Sequence, residues 1–262
     1  MSDERTRASL ALLFEISREL TTTLDLRTIL MRVLTLSVKN VGAERASIII
    51  VDDALQPVDA AIIYGDRPNA SIFERLGDVL DSGLAGWVAK ERKTAWLADT
   101  SKDERWLKRP DDRDDQTGAK SAICVPLLAG DQLMGVLTIV HPVCNYFARD
   151  HVDLVQGIAD IAALAVKNAR LYASLQLALR RYRDLFEESI DPIFITNWQG
   201  GMMDANRQAE AFTGFHKEEL IQQMITDLFG VPAESVGVNF VDLLDGRRVN
   251  FTSEIKRKNG AA

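Results

Sequence analysis

The side chains able to do chemistry are few and scattered. Two cysteines, Cys124 and Cys144, occur in 262 residues, and neither stands in a C-x-x-C or other metal or redox spacing. His141-Pro-Val-Cys144 is the one pair at a tempting metal spacing, and two ligands do not close a site. His151 opens a helical pattern and His216 sits in a turn beside Lys217, places where histidine is ordinarily a surface or structural residue. Asp111-Asp-Arg-Asp-Asp115 imitates a calcium loop but lacks the sixth-position glycine and the distal glutamate. It reads as a solvated charged loop. No nucleophile–base set and no phosphate-cradling glycine loop occurs. The expectation is therefore no catalytic residue, no metal and no cofactor. Three tryptophans near the acidic segment, Trp87, Trp96 and Trp106, suit either core or the wall of a small-molecule pocket, Trp87 better the core, and nothing in the sequence decides the other two.

The element that must organise these residues is one long helix, about 150–189. Its seam runs Leu154, Ile158, Ile161, Ala165, Asn168, Tyr172, Leu175, Leu179, Tyr182, Phe186. The steps alternate four and three without a break, as in the a/d seam of a left-handed coiled coil. Asn168 is the single polar member, and a buried amide of that kind fixes register and oligomer state. Through about Lys167 the helix is expected to pack on its own domain. Beyond Asn168 it lies between two globular patterns, where an apolar stripe would be exposed. The expected partner is a second copy, in a parallel homodimer joined also by a helix at 9–20. A purely intramolecular role is the alternative.

Composition sets the outer limits. The helix leaves about 165 residues before it and about 75 after it, room for two domains. The formal net charge of −7 gives no field favouring nucleic acid or an anionic membrane. The charged start MSDERTR lacks an apolar h-region, and no stretch has the length to span a bilayer. A cytoplasmic protein with reduced thiols is the expectation.

Taken in order, residues 9–20 form an amphipathic helix, and Asp25 reads as the N-cap of a second, ended by Gly42 as a C′ glycine. Strands follow at 47–51 and 58–64 across an Asp52-Asp53 turn. Ser71-Ile-Phe-Glu74 has capping-box spacing. A short strand at 94–98 and a polar stretch to Lys120 precede two strands, 121–128 and 132–141, joined through Gly130-Asp131. The pattern predicts an α+β fold with an antiparallel sheet flanked by helices, then the long connector helix, then a partial α+β domain.

Here the residues resemble known families. Gly83-Leu-Ala-Gly-Trp-Val-Ala-Lys90 with Ala98-Asp99 is similar to the central signature of GAF domains. Val125-Pro-Leu-Leu128 with Leu133-Met-Gly-Val-Leu137 resembles their closing hairpin. Residues 159–172 resemble their last helix, and Thr23-Leu-Asp-Leu26 with Val41-Gly-Ala43 their start. After the connector, Asp204-Ala-Asn-Arg-Gln-Ala-Glu-Ala-Phe-Thr-Gly-Phe215 with Glu218-Glu-Leu220 resembles the first half of a PAS domain. The resemblance implies a GAF domain at 1–173, a coiled-coil linker at 174–189 continuous with its last helix, and a C-terminally incomplete PAS domain at 190–262. It also implies a modest ligand cavity between the sheet and residues 100–120. Of five PAS strands, the chain would supply three, near 192–197, 202–206 and 247–258. From about Val238 the tail is expected to be mobile or held by a neighbour.

Each ligand class that the resemblance brings can be tested on the residues. Bilin attachment needs a cysteine beside His or Tyr on a helix, but Cys124 lies in a strand and Cys144 precedes Asn145. Of the cyclic-nucleotide set, only Phe147 and Asp150 resemble the tail, and Asp150 also suits a helix N-terminus. Flavin-adduct PAS domains need a cysteine where Thr213-Gly-Phe-His-Lys stands. The GAF-fold methionine sulfoxide reductases need several clustered cysteines. The reading is a non-enzymatic sensory module of a signalling protein, most often a two-component sensor histidine kinase whose output domain lies outside this chain. It binds an unknown small ligand or partner and relays through a dimeric helix. A cofactor-bearing photo- or gas-sensor, or a ligand-free dimerisation spacer, are the alternatives.

Overall fold

A computed structural model of the chain describes residues 2–64, 67–68, 76–107, 121–230 and 255–258. It divides into two compact units, Met1–Ser174 and Leu175–Ala262. The capping-box segment 71–74, the acidic run 111–115, the segment 108–120 and the part 247–254 of the strand expected at 247–258 lie outside the described residues, as does the tail from Val238 up to residue 254.

In the first unit, helices α1 (Ser2–Thr21) and α2 (Leu26–Val41) precede the sheet. Helix α2 starts where its sequence says it should. The Asp25 carboxylate accepts the Thr28 N–H at 2.8 Å, satisfying one of the orphan donors of the first turn. It stops at Gly42, whose φ of 65° is left-handed and whose N–H donates to Val38 O, the closure that glycine makes without strain.

Six strands follow: β1 (Arg45–Val51), β2 (Pro57–Tyr64), β3 (Arg67–Pro68), β4 (Ala95–Leu97), β5 (Ser121–Ala129) and β6 (Gln132–His141). They form one antiparallel sheet in the order β3-β2-β1-β6-β5-β4. Side chains alternate between its faces. One face, with Ile48, Ile50, Ile123, Val125 and Leu137, packs on α1, α2 and the first part of α5 (Arg149–Glu187). The other, with Ile49, Val51, Ala122, Cys124 and Val136, packs beneath α3 (Leu76–Ser82) and α4 (Leu84–Glu91). Both faces are covered, which is why β1 reads as an unbroken apolar run and not as an alternation.

The second unit takes the end of α5, then β7 (Phe194–Thr196) paired with β8 (Met202–Ala205), and the short helices α6 (Arg207–Thr213), α7 (Lys217–Leu220) and α8 (Ile225–Phe229). Met202, Ala205, Ala209, Leu220 and Leu228 form its core. Residues 255–258 carry no strand. They are held by Lys256 N–H donating to Leu228 O and Lys258 N–H donating to Thr213 O.

Candidate functional site

The α3/α4 face of the first unit combines apolar walls with a few polar groups, the usual character of a small-molecule site. Glycine makes its roof possible. A Cβ on Gly86 would stand 1.8 Å from Leu80 O and one on Gly83 2.5 Å from Val79 O, so α4 can lie tight against the preceding helix only with these two glycines. Val88, Ala89 and Leu84 then reach down to the sheet.

On the sheet itself the register places a polar row across three central strands. Ser47 of β1 pairs with Thr138 of β6, and Thr138 with Cys124 of β5. All three share the parity of Ile49, Val136 and Ala122, so they face α3 and α4. Cys124 Sγ lies 3.2 Å from Thr138 Oγ1. One row along, the buried Arg45 extends its guanidinium over the Tyr64 ring at 5.6 Å. Cys124 is fully buried and Ser47 nearly so, yet Thr138 in the middle of the sheet is only half-buried. Solvent reaches the floor there.

The rim is built by residues 98–107. Asp99 accepts the Ser101 N–H at 3.0 Å and hydroxyl at 2.6 Å, and these bonds, the hydroxyl first, hold its carboxyl below the ordinary carboxylate value. Asp103 takes a forked pair from Arg105, Nε at 2.8 Å and Nη2 at 2.6 Å. That bidentate bond lowers the Asp103 pKa and raises that of Arg105. The guanidinium so fixed lies 4.3 Å above the Trp87 ring, a cation–π contact.

Of the three tryptophans, Trp87 and Trp106 are half-buried and pack on this cluster. Trp96 does not join them. Its neighbours Ala95 and Leu97 point into the cluster, so alternation turns Trp96 to the opposite face, where it is 45% exposed. Ser47, Cys124 and Thr138 carried one weak signal in the sequence: single polar residues inside otherwise apolar strands. The Asp103–Arg105 fork had a local signal, an acid and a base two residues apart, inside a stretch read only as polar. Among the described residues no group of His, Cys, Asp and Glu could hold a metal ion, and Cys144 is exposed beyond β6. Elsewhere, an open groove of about 420 Å³ runs along α2, lined by Glu19, Arg27, Met31, Arg32 and Leu36 among others.

The residues of the α5 seam divide by place. Leu154 and Ile161 are half-buried, Ile158 and Ala165 buried; Asn168, Tyr172, Leu175, Leu179 and Tyr182 are exposed, and Phe186 is buried again. No described helix is long and apolar enough to cross a membrane.

Comparison with known proteins agrees with this architecture. The profile described as GAF domain matches residues 25–166, more than half of the chain, and that of the PAS fold matches 180–257. A protein of Caenorhabditis elegans named "Probable 3',5'-cyclic phosphodiesterase pde-5" is 27% identical over 168 residues, covering 61% of this chain and 23% of that protein. The DNA-binding transcriptional activator HyfR of Escherichia coli K12 is 31% identical over 110 residues, 41% of this chain and 15% of its own. The chain thus spans about a fifth of the length of such relatives. Among solved structures, the GAF domain of a phosphoenolpyruvate-protein phosphotransferase from Coxiella burnetii superposes with TM-score 0.51 at 19% identity. It covers 63% of this chain and 96% of its own, and shows the fold alone.

Proposed function

Because this chain belongs to the GAF domain family and carries a PAS fold behind that domain, we propose that it senses a small ligand on the α3/α4 face and relays occupancy through a dimer of α5. GAF and PAS domains are sensory and regulatory modules, and such modules act by biasing an element they share with an output. The relatives place comparable domains in proteins named for cyclic-nucleotide hydrolysis and for transcriptional activation. For this chain the proposed output is a histidine kinase in a two-component system, and the chain itself performs no catalysis.

The observation carrying the ligand reading is Thr138. A threonine in a central strand, paired with buried Ser47 and Cys124, keeps part of its surface accessible. A polar floor under apolar helices with a pinned arginine at the rim suits a small molecule with both apolar and polar parts. Native mass spectrometry of freshly purified protein is the direct test. A co-purifying mass lost in Thr138→Trp, with the far-UV circular dichroism unchanged, supports the reading. Ligand-free protein, with no molecule from a metabolite library raising its melting temperature, sinks it.

A further inference from the structure

The sequence offers one seam on α5, but the structure leaves a different column of side chains free. Positions 161, 168, 175 and 182 recur every seven residues. The column four residues after each is Ala165, Tyr172, Leu179 and Phe186. The column three residues after each is Leu164, Leu171, Ala178 and Leu185. A helix presents both columns beside the first, so periodicity alone cannot choose between them.

Burial chooses at both ends. In the first unit Ala165 is 6% exposed and belongs to the domain's own core, with Ala162, Val166 and Ala169. Leu164 is 56% exposed and Leu171 59%. In the second unit Phe186 is 7% exposed, while Leu185 is 77% exposed. Two separate units thus consume the same column and leave the same alternative free.

Resting on the dimer reading above, we propose that a second copy of this chain pairs in parallel along Leu164, Asn168, Leu171, Leu175, Tyr182 and Leu185. In this register 161, 168, 175 and 182 are the a positions, and 164, 171, 178 and 185 the d positions. Arg180, Arg183 and Asp184 then fall at outer f, b and c positions, so no charge enters the seam. Lys167 and Arg181 flank it at g, where their stems cover apolar surface.

A self-partner fits for two reasons. The single polar a residue, Asn168, is exposed, and in a parallel two-fold it meets its own copy, amide to amide. The stripe runs 25 residues from 161 to 185, about 36 Å of helix from first to last. Pairing over that length buries on the order of 1,400 Å² in total, within the range of a stable specific interface.

Disulfide trapping of the full chain in a Cys144→Ser background reads the register directly. Leu175→Cys lies on the column shared by both registers, so it crosslinks in either and reports that the dimer exists. Ala178→Cys and Leu171→Cys should crosslink at least about tenfold faster than Leu179→Cys and Tyr172→Cys, because core a and d positions meet their own copies across the seam, whereas 172 and 179 fall at e positions that lean away from it. If Leu175→Cys crosslinks while Leu179→Cys and Tyr172→Cys match or outrun the other two, the proposed register is wrong and the dimer stands. If Leu175→Cys fails to crosslink and sedimentation shows monomers, the dimer reading falls with it.

Discussion

Asn206 is the residue on which the second unit turns. Fully buried, it caps α6 by accepting the Ala209 N–H at 2.9 Å, and its Oδ1 also accepts Ile193 N–H at 2.8 Å. Its Nδ2 donates to Phe186 O at 2.9 Å and Asp191 O at 3.0 Å. One amide thus ties the end of α5 to the start of the following sheet and helix. Removing it takes the bonds from the buried Phe186 carbonyl and the Ile193 N–H, each loss costing on the order of 1–3 kcal/mol. Asn206→Ala should destabilise the second unit by about 3 kcal/mol, seen as faster hydrogen exchange in 194–213 with 121–141 unchanged. Equal acceleration in both segments would show that the bond network is not local. His141 gives a second expectation. Its ring stacks on Tyr146 at 3.5 Å, and its Nδ1 accepts the Val143 N–H at 3.1 Å. Burial lowers its pKa from the ordinary 6.5, against a weaker opposite pull from Glu44. The unfolded chain then binds the proton more readily. Stability is intact above about pH 6.5 and falls as pH drops from there through the lower folded value. Asp25, Asp99 and Asp103 also have lowered pKa values, but from 3.8, so their contribution persists above that value and is lost only in stronger acid. Melting temperatures from pH 7 to 5 should therefore decline in the native chain and stay flatter in His141→Gln. Parallel curves would assign the decline elsewhere. At this scale the sequence was least informative: Asn206 read only as the end of a strand and part of the PAS resemblance, because its bonds reach groups up to 20 residues away.

At the scale of elements the sequence was far more legible, and for a stated reason. Caps and turns are local chemistry, so Asp25, Gly42 and the Gly130-Asp131 turn could be read directly, and the structure puts α2, β5 and β6 where they require. Which face of the sheet a residue occupies was not legible, because strands covered on both sides show no alternation. Trp96 is the instance: only its register with Ile123 and the burial of its neighbours turn it away from Trp87 and Trp106. The meeting of α3 and α4 is legible in hindsight. Two glycines three apart in Gly83-Leu-Ala-Gly86 mark a close backbone approach, and the carbonyl of Leu80 occupies the place of a Gly86 side chain. That atom is backbone and cannot swing aside. Gly86→Ala should therefore cost about 2–3 kcal/mol in urea denaturation, although alanine is the better helix former. A neutral or stabilising outcome would mean that the helices separate freely, and the roof of the proposed pocket would not be set by their contact.

For the whole molecule, the long helix decides what two small sensory folds can do together. Within the first unit its first part fills the domain's own core through Ala169. From there Arg170 Nη1 donates to Val51 O at 2.9 Å, joining the helix to the strand whose Ser47 and Ile49 face the candidate pocket. Beyond that bond the helix keeps large apolar side chains in water. Leu171, Tyr172, Leu175, Leu179, Tyr182 and Leu185 are all exposed, which an isolated helix in water has no physical reason to maintain. The heptad in the sequence pointed to this stripe, and the part it could not supply was which flank each unit keeps for itself. A charge placed on Leu175 enters the seam in either register, and one on Leu179 lies in or beside it. Leu175→Lys with Leu179→Lys should convert a dimer to monomers in sedimentation, because two copies would bring like charges together in a dry seam. Neither residue belongs to a domain core, so hydrogen exchange in 121–141 should be unchanged, which separates lost pairing from lost folding. Asn168→Leu should act in the opposite sense, raising the melting temperature of the dimer while loosening its register. A double lysine variant that still sediments as a dimer would place the interface off α5 altogether, and the relay through this helix would have to be abandoned.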